Sequence, residues 1–377
     1  MEPLFVTLVA GRYRDGGVEQ QMNRLAAGFL DQGVNCTFLL GERGAEGAVE
    51  SIPTGVEVKC VGAEHGGLGD EVESLVSQRS AERHVILIFR TSDYTPVVRA
   101  ARANRSHRPG IFLVTGMHLR ERLDPRRVGR LRAWKLRYRM RRYWSQADAV
   151  IAVSPDTADD WRSVGPLPAD RVWHVRPPVV GPDVDAKASE SIPHDWGGGD
   201  AKPNVILGVG RLSADKRFHL ILEAVRQLRD QRNLRVVIVG DGPEKEALHE
   251  FARHAGVADI THFTGFTSNP YAWMKHADVL VLPSRHETFG LVLIESLYVG
   301  TPFVSTREAR GPVSIHEATG CGRLVAEANG PSLARAINEE LSTSVDPQRL
   351  RQAAEMYDSS ASAREYLSVI AKHFSVH

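Results

Sequence analysis

Composition excludes more than it assigns. Three cysteines, Cys36, Cys60 and Cys321, are odd in number and scattered over 377 residues. That argues against a disulfide framework or a cysteine zinc site and suggests a reducing compartment, with each thiol read as a small core residue. No apolar run approaches the ~20 residues that span a bilayer. The opening MEPLFVTLVAGRYRDGG has only a short apolar run behind an acidic residue, so it reads as a first strand and not as a signal peptide. A formal charge of +1 gives no global field that would attract nucleic acid. The first strand-to-helix turn lacks G-x-G-x-x-G, which disfavours a dinucleotide fold.

What is present is an alternation of short apolar runs with helical periodicity. Strands are expected near 4–9, 36–40, 56–61, 85–89, 111–115, 149–153 and 172–175, then near 204–209, 234–239, 260–263, 279–282, 302–305 and 322–325. The first helix is expected from about Val18 to Gln32, stopping at Gly33. Such alternation predicts parallel sheets covered on both faces. The Pro-, Gly- and acid-rich stretch 181–203 separates two halves, 1–180 and 204–360, and reads as a linker. Its Asp183-Val-Asp185 spells D-x-D, but away from the end of any apolar strand, so it reads as linker charge.

Glu287 and Glu295, in PSRHETFGLVLIESLYVGTPFVST, straddle the point where a loop becomes a helix. Val279–Leu282 closes at Pro283, and apolar spacing resumes at Leu291, Val292, Ile294 and Leu297 before Gly300 and Pro302 end the helix. Between the acids, the N–H groups of Thr288, Phe289, Gly290 and Leu291 form an open helix end that favours an anion. Carboxylates on either side could accept hydrogen bonds from sugar hydroxyls. An exposed helix with two solvated acids has the same letters. In GVGRLSADKRFHLILEA, Arg211 and Lys216 follow a strand, before a helix expected to start near Asp215, and two cations there suit a diphosphate. An arginine capping the strand's last carbonyls fits equally well.

The stretches GRLSADK, VVIVGDGPEKEAL, FTGF at 263–266 and HETFGLVLIESLYVGTPFV follow one another in the order and spacing of the retaining enzymes of glycosyltransferase family 4, which the region 204–326 resembles. DGGVEQQMNRLAAGFLDQG and TGMH resemble that family more loosely. The resemblance implies the GT-B fold: two facing Rossmann-like, doubly wound parallel-sheet domains with an interdomain cleft. A last helix within 362–377 is expected to pack back on the first domain. The resemblance further implies Arg211 and Lys216 on the donor diphosphate, Glu295 on the ribose, Glu287 with His286–Gly290 on the transferred sugar, and His118 reaching the donor sugar. It also implies a front-face reaction in which the departing diphosphate takes the proton of the incoming hydroxyl, with no metal. Gly16 and Gly17 allow a phosphate or sugar close to the backbone, or are a plain turn. Gly240 and Gly242 are open to the same two readings, and Thr264–Phe266 are expected to line the base. Relatives often carry an acid after Gly-Pro where this chain has Ser314.

Nine Lys or Arg and no acid lie between Arg126 and Arg142, interleaved with Leu131, Trp134 and Tyr138 and followed by Tyr143 and Trp144. A helix with basic and aromatic faces suits an anionic bilayer surface or a lipid-linked diphosphate. A solvated face packing its aromatics inward, a partner-binding helix and a nucleic-acid patch are the alternatives. The expected protein is a cytoplasmic, peripherally membrane-bound transferase moving a hexose or N-acetylhexosamine from a UDP-linked sugar to a lipid-linked or membrane-proximal glycan. Transfer to a soluble acceptor and a non-catalytic sugar-nucleotide-binding subunit are the competing readings.

Overall fold

A computed structural model of the chain describes residues 3–13, 16–41, 52–61, 67–79, 83–104, 107–192 and 202–376. It divides into two compact units, Met1–Val179 with Tyr357–His377, and Val180–Met356.

The first unit is built on β1 (Leu4–Ala10), β2 (Asn35–Leu40), β3 (Glu57–Cys60), β4 (Arg83–Ile88), β5 (Gly110–Thr115), β6 (Ala149–Ala152) and β7 (Val172–His174). They form one parallel sheet in the order β3-β2-β1-β4-β5-β6-β7. Alternate residues feed two cores. Leu8, Val85 and Leu87 pack with Met22, Leu25 and Phe29 of the helix Gly17–Asp31. Val9, Ile86 and Ile88 pack with Val97, Val98, Trp144 and Trp161 on the other face. Near-continuous apolar strands are what a doubly covered parallel sheet requires. The closing helix runs Ser359–Val376 and lies on Gly17–Asp31, where a Cβ on Gly28 would sit 2.3 Å from the Ser359 carbonyl oxygen. Phe29 meets Tyr366 edge-on at 6.4 Å.

The second unit holds β8 (Asn204–Val209), β9 (Leu234–Val239), β10 (Thr261–Gly265), β11 (Val279–Leu282), β12 (Phe303–Thr306) and β13 (Arg323–Val325). They too are parallel, in the order β10-β9-β8-β11-β12-β13. Chain order reverses between β8 and β11, and between β1 and β4 in the first unit. In such sheets ligands bind outside the carboxyl ends of the strands at this switch point.

Part of the expected linker is ordered structure. Pro182–Ala188 is a helix of the second unit, because Asp185 is held bidentately by Arg351 at 2.7 Å for both bonds and accepts from the Tyr298 hydroxyl at 3.1 Å. Arg351 holds this carboxyl below the usual carboxylate range. The D-x-D letters therefore include a packing clamp, not free linker charge. Of that segment, residues 193–201 lie outside the described residues. All three cysteines are free; Cys36 and Cys321 are buried and Cys60 is half-buried.

Candidate functional site

The loops after β8 and β11, which flank the second unit's switch point, are tied together by named contacts. β8 is followed by Gly210, at φ 150°. The expected helix does not begin near Asp215: Ala214–Lys216 forms a 3₁₀ turn and the α-helix starts at His219. The interruption is Arg217, whose φ of 50° makes it the one non-glycine residue with positive φ among those described. Such a conformation costs about 1–3 kcal/mol and persists only where its surroundings over-determine it. Those surroundings are the β11 and β12 ends, since buried Arg217 donates from Nε to the Pro283 carbonyl at 2.9 Å and from Nη1 to Glu308 Oε2 at 2.8 Å. Its Nη2 is buried with no hydrogen-bond partner. The Arg285 N–H adds a bond of 2.8 Å to the Asp215 carbonyl.

This clamp sets Lys216 against the second loop. Its Nζ donates to Glu287 Oε2, and the two side chains are 22% and 16% exposed. Gly290, in the left-handed region at φ 93° and ψ 54°, caps the helix Leu291–Tyr298, and a Cβ there would lie 3.3 Å from Glu287 Cγ. The N–H groups that open this helix follow Glu287 closely in sequence and carry the positive end of its dipole. The loop is backed by Gly311, whose N–H donates to the Glu287 carbonyl at 3.2 Å. Phe289 is buried. Glu295, one turn inside the helix, is 6% exposed and accepts from the Tyr271 hydroxyl at 3.1 Å, so it is a buried, held carboxylate and not a solvated one.

Other expected residues fall differently. Arg211 is exposed and has no ion pair among the described residues. Phe266, just past β10, is 67% exposed. The glycines of the β9 turn have a packing reason: a Cβ on Gly240 would lie 1.9 Å from the Gly210 carbonyl oxygen, and one on Gly242 2.3 Å from that of Leu212. The turns after β8 and β9 are thus laid directly on each other, further joined by Leu212 N–H to Asp241 O at 2.9 Å and Glu244 N–H to Leu212 O at 3.0 Å. Beside Arg217, a cavity of about 290 Å³ is lined by Ser213, Asp215, His219, Glu244 and Arg285; burial lowers the His219 pKa below its ordinary value.

In the first unit Gly16 caps and Gly17 begins the helix Gly17–Asp31. The close backbone approach lies instead at Gly11 and Gly41, where a Cβ on Gly41 would be 2.5 Å from the Gly11 carbonyl oxygen. The Gly11 N–H donates to Asp93 Oδ2 at 2.7 Å, and Arg90 pairs with buried Glu19. His118 caps the helix Leu119–Leu123, with Nε2 at 3.5 Å from Asp156 Oδ2. Of the aromatics after Arg126, Trp144 is core, stacked on Trp161 at 6.1 Å, and Tyr143 is half-buried; neither lies on an exposed face as expected. Among the described residues no cluster of three or more His, Cys, Asp or Glu could hold a metal ion.

Two family models match this chain: Glycosyltransferase Family 4 over residues 15–180 and Glycosyl transferases group 1 over 196–356. The chain belongs to the family 4-like glycosyltransferases. An alpha-D-kanosaminyltransferase of Streptomyces kanamyceticus is 29% identical over 59% of this chain and 56% of its own length. The lipopolysaccharide core biosynthesis glycosyltransferase LpsD of Rhizobium meliloti is 29% identical over 47% of this chain and 49% of its own. The chain thus spans about half the length of these curated relatives. Solved structures match along nearly all of it. HepE of Anabaena in complex with UDP superposes with a TM-score of 0.71 at 19% identity, covering 98% of this chain and 100% of that one. The lipopolysaccharide outer core galactosyltransferase WaaB superposes with a TM-score of 0.70 at 16% identity, covering 98% and 99%. These likenesses, with the two parallel-sheet units, make the fold GT-B.

No helix of the described residues is long and apolar enough to cross a membrane. Arg217, Glu308 and Tyr271 went unread in the sequence, and Gly311 was read only as part of the Gly-Pro pair before Ser314. Only Gly311 left a local signal, a Gly-Pro pair opening a helix.

Proposed function

We propose that the chain is a retaining glycosyltransferase that moves a hexose or N-acetylhexosamine from a UDP-linked sugar to a lipid-linked or membrane-proximal glycan at the cytoplasmic face. The observation that carries this reading is the Lys216–Glu287 pair joining two strand-end loops at the second unit's switch point. Lys216, Arg211 and the N–H groups from Thr288 to Leu291 would neutralise the diphosphate. Glu287 would hold the transferred sugar and position Lys216, Glu295 would take the ribose, and exposed Phe266 would offer the base a stacking face. His118, Gly16 and Gly17 would serve from the first unit.

In the proposed reaction the acceptor oxygen bonds to the anomeric carbon as the bond from that carbon to the diphosphate breaks, and the acceptor proton passes to the departing phosphate oxygen. Charge grows on the diphosphate, so groups already aimed at it stabilise the transition state more than the ground state. The reading assigns this task to the cations and the helix mouth and needs no metal.

Transfer to a soluble acceptor is the second reading. It is favoured by a 2-deoxystreptamine N-acetyl-D-glucosaminyltransferase of Niallia circulans, 34% identical over 29% of this chain, and by a 2-deoxystreptamine glucosyltransferase of Streptomyces kanamyceticus, 35% identical over 36%. Calorimetry with UDP, UDP-glucose and UDP-N-acetylglucosamine tests the donor side for either. At about 100 times its dissociation constant a true donor raises stability by ~2.7 kcal/mol. Absence of binding by every UDP-linked sugar overturns the reading.

A further inference from the structure

The helix Arg130–Arg142 carries seven Lys or Arg and no acid in 13 residues. All seven are exposed, and among the described residues none is ion-paired with a carboxylate. Like charges one turn apart repel, and among the described residues no carboxylate pairs with this helix's cations to offset that repulsion. One face, Ala133 and Met140, is buried. Opposite it Leu131, Trp134 and Tyr138, spaced as i, i+3 and i+7 on one stripe, are 64%, 60% and 52% exposed. Trp134 and Tyr138 stack on each other at 6.1 Å.

The stripe borders a cavity of about 590 Å³ whose wall includes Arg120, Arg137 and Arg141 over a floor of Leu123, Met140 and Val164. Arg137 and Arg141 follow Trp134 by three and seven residues, so they rise along the edge of the same stripe. Arg137 Nη2 is fixed by the Leu123 carbonyl at 3.1 Å, and Arg120 Nη2 by Ser163 Oγ at 2.8 Å. Asp124, also on the wall, is occupied by the Arg126 N–H at 2.9 Å. Of the five large apolar side chains exposed among the described residues, four (Leu131, Trp134, Tyr138 and Val164) lie on this stripe or in this cavity.

We propose that this face docks on an anionic phospholipid bilayer, Leu131, Trp134 and Tyr138 entering the headgroup layer and the Arg120–Arg137–Arg141 cavity taking a lipid phosphate. Arg120 on the cavity wall already pairs with Asp160 Oδ1 at 3.5 Å, so the helix cations, Arg137 and Arg141 among them, are what call for an anionic partner, and the apolar stripe calls for one with an apolar layer beneath its charge; a lipid surface supplies both, whereas free phosphate leaves the stripe unused. The inference deepens the acceptor side of the proposed function by naming the surface on which that acceptor is met. It involves none of the donor-binding residues.

Flotation of the full chain with vesicles of phosphatidylglycerol and phosphatidylcholine, against phosphatidylcholine alone, tests it. Binding is expected only to the anionic vesicles. It should fall at least tenfold between low salt and about 1 M salt, where the screening length shrinks to about 3 Å. The surface variants L131S/W134S and R137Q/R141Q should each weaken it tenfold or more while leaving UDP-sugar affinity and thermal unfolding as in the parent. Equal binding to neutral vesicles, unchanged binding by L131S/W134S, or tighter binding to duplex DNA than to vesicles overturns the proposal. UDP-sugar binding measured alongside shows whether the donor reading fails with it or stands.

Discussion

Replacing Gly311 by alanine adds one methyl at a point where the second unit has no room. An ideal Cβ would lie 2.2 Å from the carbonyl oxygen of Phe289 and 2.5 and 2.6 Å from its C and Cα atoms. These are backbone atoms, so no rotamer relieves the overlap. Reaching the 3.0 Å below which real Cβ contacts essentially vanish requires a displacement of at least 0.8 Å. The helix Arg310–Thr319 is anchored by buried Ile315, so the loop gives way instead. That loop carries Glu287, whose carbonyl the Gly311 N–H holds, and Gly290, which opens the helix mouth. A misplacement of about 1 Å can cost ~10²-fold in rate, or ~2.7 kcal/mol of transition-state stabilisation. Overpacking itself costs about 1–3 kcal/mol of stability, so G311A should remain folded at low temperature with a lowered Tm. The assay is kcat/KM for the UDP-sugar donor found by calorimetry, measured well below the variant's melting transition. Activity within threefold of the parent refutes the reasoning, because the position of the Phe289–Gly290 backbone would then not matter to transfer.

Lys216→Ala and Glu287→Gln should each lower kcat by ~10²- to 10³-fold, the typical effect of removing one preorganised group. Circular dichroism should show the fold unchanged; a loss under tenfold in both removes them from the site. Transfer should persist in excess EDTA, and abolition restored by a divalent cation refutes the charge assignment to Lys216, Arg211 and the helix mouth. His84, buried in the first unit, bonds Thr7 Oγ1 at 2.9 Å; burial first, then the charges of His107 and Arg79, lowers its pKa from 6.5 to about 3. Because the unfolded chain binds the proton more tightly between those values, its contribution is fully present above 6.5 and is lost as pH falls toward 3, by about 2 kcal/mol at pH 5. Chemical unfolding of wild type and His84→Gln at pH 7 and pH 5 checks this: the wild type should lose about 2 kcal/mol more, and equal losses refute it.

The strands were legible because a strand buried on both faces is a run of apolar residues, whatever packs on it. β8, β9 and β11 fall where their letters place them, and with them the loops that carry Lys216 and Glu287. What was not legible depends on groups distant in sequence. Arg217 reads as an ordinary helix residue; only Pro283 and Glu308, 66 and 91 positions away, hold it in a left-handed conformation and delay the helix. Gly240 and Gly242 invite a ligand reading until the backbone of the neighbouring turn is found against them. Trp144 misleads for a related reason. It lies beyond the end of the basic helix, in a 3₁₀ turn, so the helical phase that sets Trp134 outward no longer governs it, and its ring turns inward onto Trp161. The same geometry divides the aromatics of one segment between core and surface, and the exposed ones are those whose phase matches the cations. That coincidence, more than the number of charges, separates a docking face from a merely solvated one: a solvated helix gains nothing by keeping Leu131, Trp134 and Tyr138 in water, and their replacement by serine should then be neutral in every assay.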